Sequence, residues 1–504
     1  MTKPTPIPDP PRSPTPRRNL AAAMRVPQPV RKGTRILVPL GAMGILLLAG
    51  CSSSPPARTP SPSSAPSRSG SSAAKACVQS WQLNAALVPS GDAAASSDLS
   101  GVNAISPSDV WAVGSTSPAG KIQQGLAERW NGTSWSIVPV PDPSSAASLG
   151  GDQLTAVAGV SQDDVWAVGY IGAMAPPTLG TSFTPAAQTL TEHWNGTSWS
   201  IVNAPDVAAR DGVEPWDVLT SVAAISSDDV WAAGITEWPL TFSSEDQVAA
   251  QPLVEHWNGS YWAIVTVPDP EPSPPDWALA SGGVPPSATA TVASVALPGV
   301  AGISPDDVWL VGGYEPDMGV QTYSPGPWET LTEHWNGTTW SVVQAPDVTL
   351  SEPLAGGSTA ADDLLTAAAG SSAGALWAVG GALPGSALTL RMGGGAWSLI
   401  PSLAVTVAND GEGNAEAHWL GYSTPEAYVP TFFAGISPLV GVVTLSADDA
   451  WAVGAVILHW DGASWQPLYT VNDQSFGYLT GVAATGSGGL WAVGGTSIVH
   501  ATCA

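Results

Sequence analysis

One unit recurs seven times along this chain, and the recurrence constrains the fold more than composition does. A clear copy occupies residues 154–169 and resumes, after a variable insert, over 190–202. Its Trp166 recurs as Trp111, Trp231, Trp309, Trp377, Trp451 and Trp491. Its Trp199 recurs as Trp81, Trp135, Trp262, Trp340, Trp397 and Trp465. The unit divides into four short strands: a over 154–160, b over 165–169, c over 190–194 and d over 198–202. Between a and b, Ser161, Asp163 and Asp164 supply side-chain oxygens that hydrogen-bond turn amides. Between c and d, Asn195-Gly196 is the dipeptide favoured in a two-residue hairpin.

Short strands at this spacing, each with one or two large aromatics, predict an all-β, seven-bladed β-propeller over residues 77–504. The tryptophans are then packing between adjacent blades. The phase at the two ends says how the ring closes. The last unit supplies strands a, b and c and stops at Cys503, while the first folded segment, around Trp81, is a strand d with no unit before it. An N-terminal strand d joining C-terminal strands a–c makes the seventh blade. Counted from Trp81 and from His500, Cys77 and Cys503 fall where other units place Asn195 and Gly196 of the c–d turn. A Cys77–Cys503 disulfide would restore the covalent link there. Two terminal cysteines do not make a metal site.

Residues 1–50 read as an address rather than a fold. Eight of the chain's fifteen bases lie before Cys51, against one acid, and an apolar run over 36–50 follows them. That run is short for a membrane span and fits a signal peptide. It ends in Leu48-Ala49-Gly50-Cys51, which resembles the bacterial lipobox. The resemblance implies a signal peptide over 1–50, lipidation of Cys51, and an extracytoplasmic protein attached to the membrane by its lipid only. An uncleaved N-terminal anchor is the alternative, and it leaves the rest of the chain on the same side. Residues 51–76, rich in Ser, Pro and Ala, cannot bury enough apolar area to offset their ordering entropy and read as a tether.

The repeat resembles those of secreted bacterial propellers in the kelch and Asp-box (sialidase-like) neighbourhood. The Ser-x-Asp turn before a tryptophan is similar to the Asp-box, with Val where that motif has Gly. Gly312-Gly313 and Gly380-Gly381 partly match the kelch signature. Neither family's chemistry transfers. A sialidase-like site needs three arginines, and the propeller region has Arg129, Arg210 and Arg391, of which Arg129 and Arg391 sit at the repeat position of His193. A kelch-type copper site needs converging histidines, yet His193, His256, His334, His459 and His500 share one repeat position in five blades, leaving His418. They read as structural strand histidines. No catalytic residue, metal ligand or cofactor is assigned. Asn131, Asn195, Asn258 and Asn336 head glycosylation-type sequons but are turn residues first.

From Cys51 onward there are seven bases against forty acids, a net of −33. Such a surface repels nucleic acid and anionic headgroups and accepts neutral or basic partners. The expected function is a monomeric binding propeller that recognises an extracellular glycan or protein. The expected face carries the b–c and d–a connections, which vary in length, whereas the a–b and c–d turns are short. Five tryptophans fall outside the repeat positions: Trp216, Trp238, Trp277, Trp328 and Trp419. All five are expected in b–c or d–a loops, beside acids such as Asp217 and Glu237. Aromatics next to carboxylates suit a sugar; the same rings also suit packing of long loops onto the propeller. Two other readings stand beside this one. One is a polysaccharide-acting hydrolase or lyase using a pair among Glu214, Asp217, Glu237, Glu245, Asp276, Glu329, Glu412 and Glu416. The other is an interaction propeller without a small ligand.

Overall fold

The computed structural model describes residues 81–87, 96–118, 121–143, 149–172, 187–209, 214–239, 248–270, 291–317, 327–348, 362–371, 375–382, 386–402, 408–409, 415–416, 439–470, 477–485 and 489–502. Cys51, Cys77, Cys503, Trp277 and Trp419 lie outside them, as do the signal peptide and tether.

Seven four-stranded antiparallel sheets form seven blades. Blade 1 runs Ser96–Ser106, Asp109–Ser117, Gln124–Trp130 and Trp135–Val138 as strands a to d. Blade 2 runs Asp152–Ser161, Asp164–Ile171, Gln188–Trp194 and Trp199–Ile201. Blades 3 to 6 repeat the order from Trp216, Thr291, Asp363 and Leu439. Blade 7 joins Gly481–Ala484, Gly489–Gly494 and Ser497–Thr502 to the first strand of the chain, Trp81–Ala85. Trp81 pairs with Ala501 and Ala85 with Ser497, so the ring closes as the phase of the repeats predicts. A two-stranded hairpin, Ala408–Asn409 with Ala415–Glu416, lies in the connection after blade 5.

The motif Trp166-Ala167-Val168-Gly169 has a steric reason at its glycine. Strand a carries a bulge between Leu154 and Ala156, which presses its backbone onto strand b. A Cβ on Gly169 would lie 1.9 Å from the Gln153 carbonyl oxygen. The residue inside the bulge, Thr155, places its hydroxyl 3.0 Å from the Val168 oxygen of its own blade and 2.6 Å from the Leu219 oxygen of the next. Thr220, Thr366 and Thr480 reach the following blade at Pro298, Leu439 and Leu99 in the same way. In blades 2, 3, 5 and 7 a threonine at this position thus links one blade to the next, whereas blades 4 and 6 hold Pro298 and Val440 there. Strand a of all seven blades lines a central cavity of about 460 Å³.

Farther from the axis the links are aromatic. In five blades the strand-b tryptophan wedges between two tryptophans of the next blade, and in blade 4 Trp309 meets Trp397 with Met392 in the same cluster. Trp111 lies 5.1 Å from both Trp194 and Trp199, and Trp377 lies 4.9 Å from both Trp460 and Trp465. Trp491 of blade 7 meets Trp130 and Trp135 of blade 1, which completes the circle. Tilted and edge-on contacts at these separations suit the ring quadrupoles.

Two local expectations change. Trp216 and Trp238 are not in loops: strand a of blade 3 begins at Trp216 and strand b runs on to Pro239. The hairpin continues past the repeat because Trp216 pairs with Glu237 and Trp238 with Ala249, extending both ladders. The c–d turn holds four residues, Asn195 to Ser198, between the paired Trp194 and Trp199 rather than two. Asn195 acts by its side chain, accepting the amides of Thr197 and Ser198, while Gly196 takes φ 87°.

Candidate binding face

The a–b and c–d turns share one face of the ring, and its polar groups are committed to a repeated structural pairing. His193 Nε2 lies 2.9 Å from Asp164, His256 2.8 Å from Asp229, and His334 and His459 each 3.0 Å from Asp307 and Asp449. Each imidazole also packs on its strand-b tryptophan, as His256 does on Trp231 at 4.1 Å. The same aspartates accept the indole N–H of Trp231, Trp309 and Trp451. Where histidine is replaced, Arg129 pairs with Asp109 at 2.7 Å and stands over Trp111, and Arg391 stands over Trp377. The repeat position holds these side chains apart, one per blade, in the structural role read from the sequence.

The opposite face carries the b–c and d–a connections. Here four of the residues singled out from the sequence turn inward: Trp216, Trp328, Asp217 and Glu237. Trp216 and Trp328 are 2% and 8% exposed and pack with Tyr170, Val218, Ile235 and Leu364. They anchor the connections to the propeller body. Asp217 and Glu237 are buried as well, on adjacent strands. Burial pushes each of their carboxyls up to about 7. Trp238 lies on strand b opposite Ala249. Trp277 and Trp419 fall outside the described residues.

Four exposed aspartates recur at one register of this face. Asp142, Asp206, Asp269 and Asp347 stand seven residues after the strand-d tryptophans of blades 1 to 4, each preceded by proline, and all four are exposed. Asp206 accepts from the amide (2.8 Å) and hydroxyl of Thr189, and Asp347 likewise from Thr330. Asp142 accepts from the Gln124 side-chain amide. From the other end of the connections, the strand-a aspartates accept amides: Asp152 from Gly125, Asp217 from Val207, and Asp363 from Val348. Carboxylates therefore clasp the d–a connections leaving blades 1, 2 and 4. Among the described residues the connection leaving blade 3 shows no such clasp: Pro252 has no amide hydrogen to offer Asp269, and Val295 replaces the strand-a aspartate.

A second set of acids escaped the reading of the sequence. Glu128, Glu192, Glu255 and Glu333 occupy one register of strand c in blades 1 to 4, next to Arg129 and the histidines, and all are fully buried. Alternation in the strand sends histidine and glutamate to opposite sides of the sheet. Glu128 accepts the Leu87 amide at 2.7 Å. In Glu192, Glu255 and Glu333 neither carboxylate oxygen has a hydrogen-bond partner. Burial raises Glu128 to about 7, Glu192 and Glu333 to about 8, and Glu255 well above the ordinary range. The recurrence of Glu one residue before His or Arg in four successive units was the available signal.

No family model matches the chain, and no curated protein does. Solved structures do. YCF48 from Cyanidioschyzon merolae is 11% identical, with 83% of this chain and 98% of that chain covered at a TM-score of 0.40. The WD40 β-propeller domain of Doa1 is 10% identical, with 84% and 98% covered at 0.42. A polysaccharide lyase, the PL25 ulvan lyase, is 10% identical, with 79% and 77% covered at 0.31. From its strand order and closure, the chain is a seven-bladed β-propeller.

Proposed function

We propose that this chain is a non-catalytic binding propeller, displayed outside the cytoplasmic membrane by a lipid on Cys51, that takes a protein partner on the face of its b–c and d–a connections. The carrying observation is the row of four exposed aspartates, Asp142, Asp206, Asp269 and Asp347, at one register of that face. They favour a partner that presents basic or amide groups, and such charge complementarity acts on association rate and orientation. The glycan reading rested on aromatic stacking, and the buried Trp216 and Trp328 offer no open ring to a sugar. On the other face the polar residues are engaged in the Trp–Asp–His pairing, which supports placing the partner among the connections.

The full chain in detergent, screened against a basic-peptide array and a glycan array, tests this reading. Binding to basic peptides that weakens with added salt is expected. Asp142→Asn with Asp269→Asn should weaken it about fivefold, the order of two exposed charge pairs. Binding to glycans alone, or binding indifferent to these substitutions with the fold intact, would move the function elsewhere.

A further inference from the structure

Two of the buried glutamates lie within electrostatic reach of the clasps. The charges that bear on Glu192 are Asp152 and Asp142, the two carboxylates that hold the connection from blade 1 to blade 2. Those that bear on Glu255 are Asp206 and Asp217, which hold the connection from blade 2 to blade 3. Glu214 adds to the charge around Asp217. Among the described residues the cations are placed elsewhere. Arg129 is paired with Asp109, Arg391 donates to the Ala447 carbonyl, and Lys121 lies in the b–c connection of blade 1. Each glutamate is fully buried between strands b and d, opposite Ala167 and Ile201 or Ala232 and Ile264, with both oxygens unpartnered.

We propose that Glu192 and Glu255 are proton-controlled latches: protonated, they leave each aspartate clasp intact, and ionised, they add a further negative charge beside it and release the d–a connection.

The reason is local electrostatics. A buried carboxylate without a hydrogen-bond donor or a counter-ion is costly, so the proton is its cheapest neutraliser. In each clasp, donated hydrogen bonds stabilise the charge of two aspartates. A further charge in this dry setting repels those of the aspartates, and the coupled groups titrate as a unit. The part free to move is the aspartate on the connection, since Asp142 and Asp206 are exposed while the glutamates are fixed in a strand. Glu333 supplies an internal contrast, because it has the same burial and feels Asp269, which makes no clasp among the described residues.

Hydrogen exchange of the full chain in detergent tests the latch, with rates corrected for the intrinsic effect of pH. The reporters are the clasped amides of Gly125, Thr189 and Val207. They should be protected near pH 5.5 and lose protection by about tenfold or more near pH 9, the scale of one pKa unit. Glu192→Gln should preserve protection at Gly125, and Glu255→Gln at Thr189 and Val207. Glu333→Gln should leave all three responses as in the wild type. Should the Gln variants fail to fold, infrared spectra of the wild type should show protonated buried carboxyl groups near pH 6 that vanish by about pH 9. Protection independent of pH in the wild type, a pH response surviving in the Gln variants, or no such carboxyl band would overturn the proposal.

Discussion

At five of the joints between blades a tryptophan from strand b is enclosed by two tryptophans of the next blade. Trp377 is fully buried against Trp460 and Trp465 with Arg391 above it. Removing that ring leaves a cavity bounded by side chains that are themselves wedged, so little relaxation is available. Trp377→Ala should cost about 3–5 kcal/mol in denaturant unfolding, whereas Tyr261→Ala, at a residue 61% exposed, should stay within about 0.5 kcal/mol. The repeat tryptophans and the histidine role were legible because a large residue at a fixed interval has one economical use in a ring. The glutamates of strand c were not. A charged side chain is read as solvated by default, and only the facing strands reveal that this register is closed on both sides. For the irregular tryptophans, composition could not tell a ring offered to a ligand from one that pins a connection.

Among the elements, the closing blade shows what phase can reveal. Its pairing of Trp81–Ala85 with Ser497–Thr502 follows from a missing strand at one end and a surplus strand at the other. The lengths of the strands were less legible. The hairpin of blade 3 outgrows the repeat because residues beyond it happen to pair, and pairing of a variable segment leaves no mark in a motif. The cysteines at the closing blade carry a prediction of their own. Peptide mapping without reduction should find Cys77 joined to Cys503 in protein isolated from outside the cytoplasm. By loop entropy such a bond adds at most about 6 kcal/mol, and two free thiols would refute it.

Over the whole molecule the buried acids set an unusual pH dependence. Glu128, Asp217 and Glu237 are raised to about 7, Asp152 to about 6, and Glu192, Glu333 and Asp363 to about 8. Unfolded, the same groups titrate near 4. Between those limits the folded chain binds more protons than the unfolded one, so stability falls as pH rises. The stabilisation is complete below about pH 4 and is lost progressively up to about pH 8. Thermal unfolding of the full chain should therefore show a higher Tm near pH 5 than near pH 8.5, opposite to a protein held by ionised salt bridges. A Tm that climbs over this interval would show that these carboxyls ionise freely in the folded state.

The antiparallel pairing in blade 7 also fixes how the ring responds to force. Trp81 and Ala501 are partners, so the chain enters and leaves the sheet at the same end of two adjacent strands. A pull on the two termini would load the pairs one at a time, beginning with Trp81 and Ala501 and ending with Ala85 and Ser497. That is an unzipping geometry, in which each rung bears the whole load alone and yields more easily than strands sheared along their length. In the sequence Cys77 precedes and Cys503 follows these two strands, and the disulfide predicted between them would keep the load from reaching the ladder.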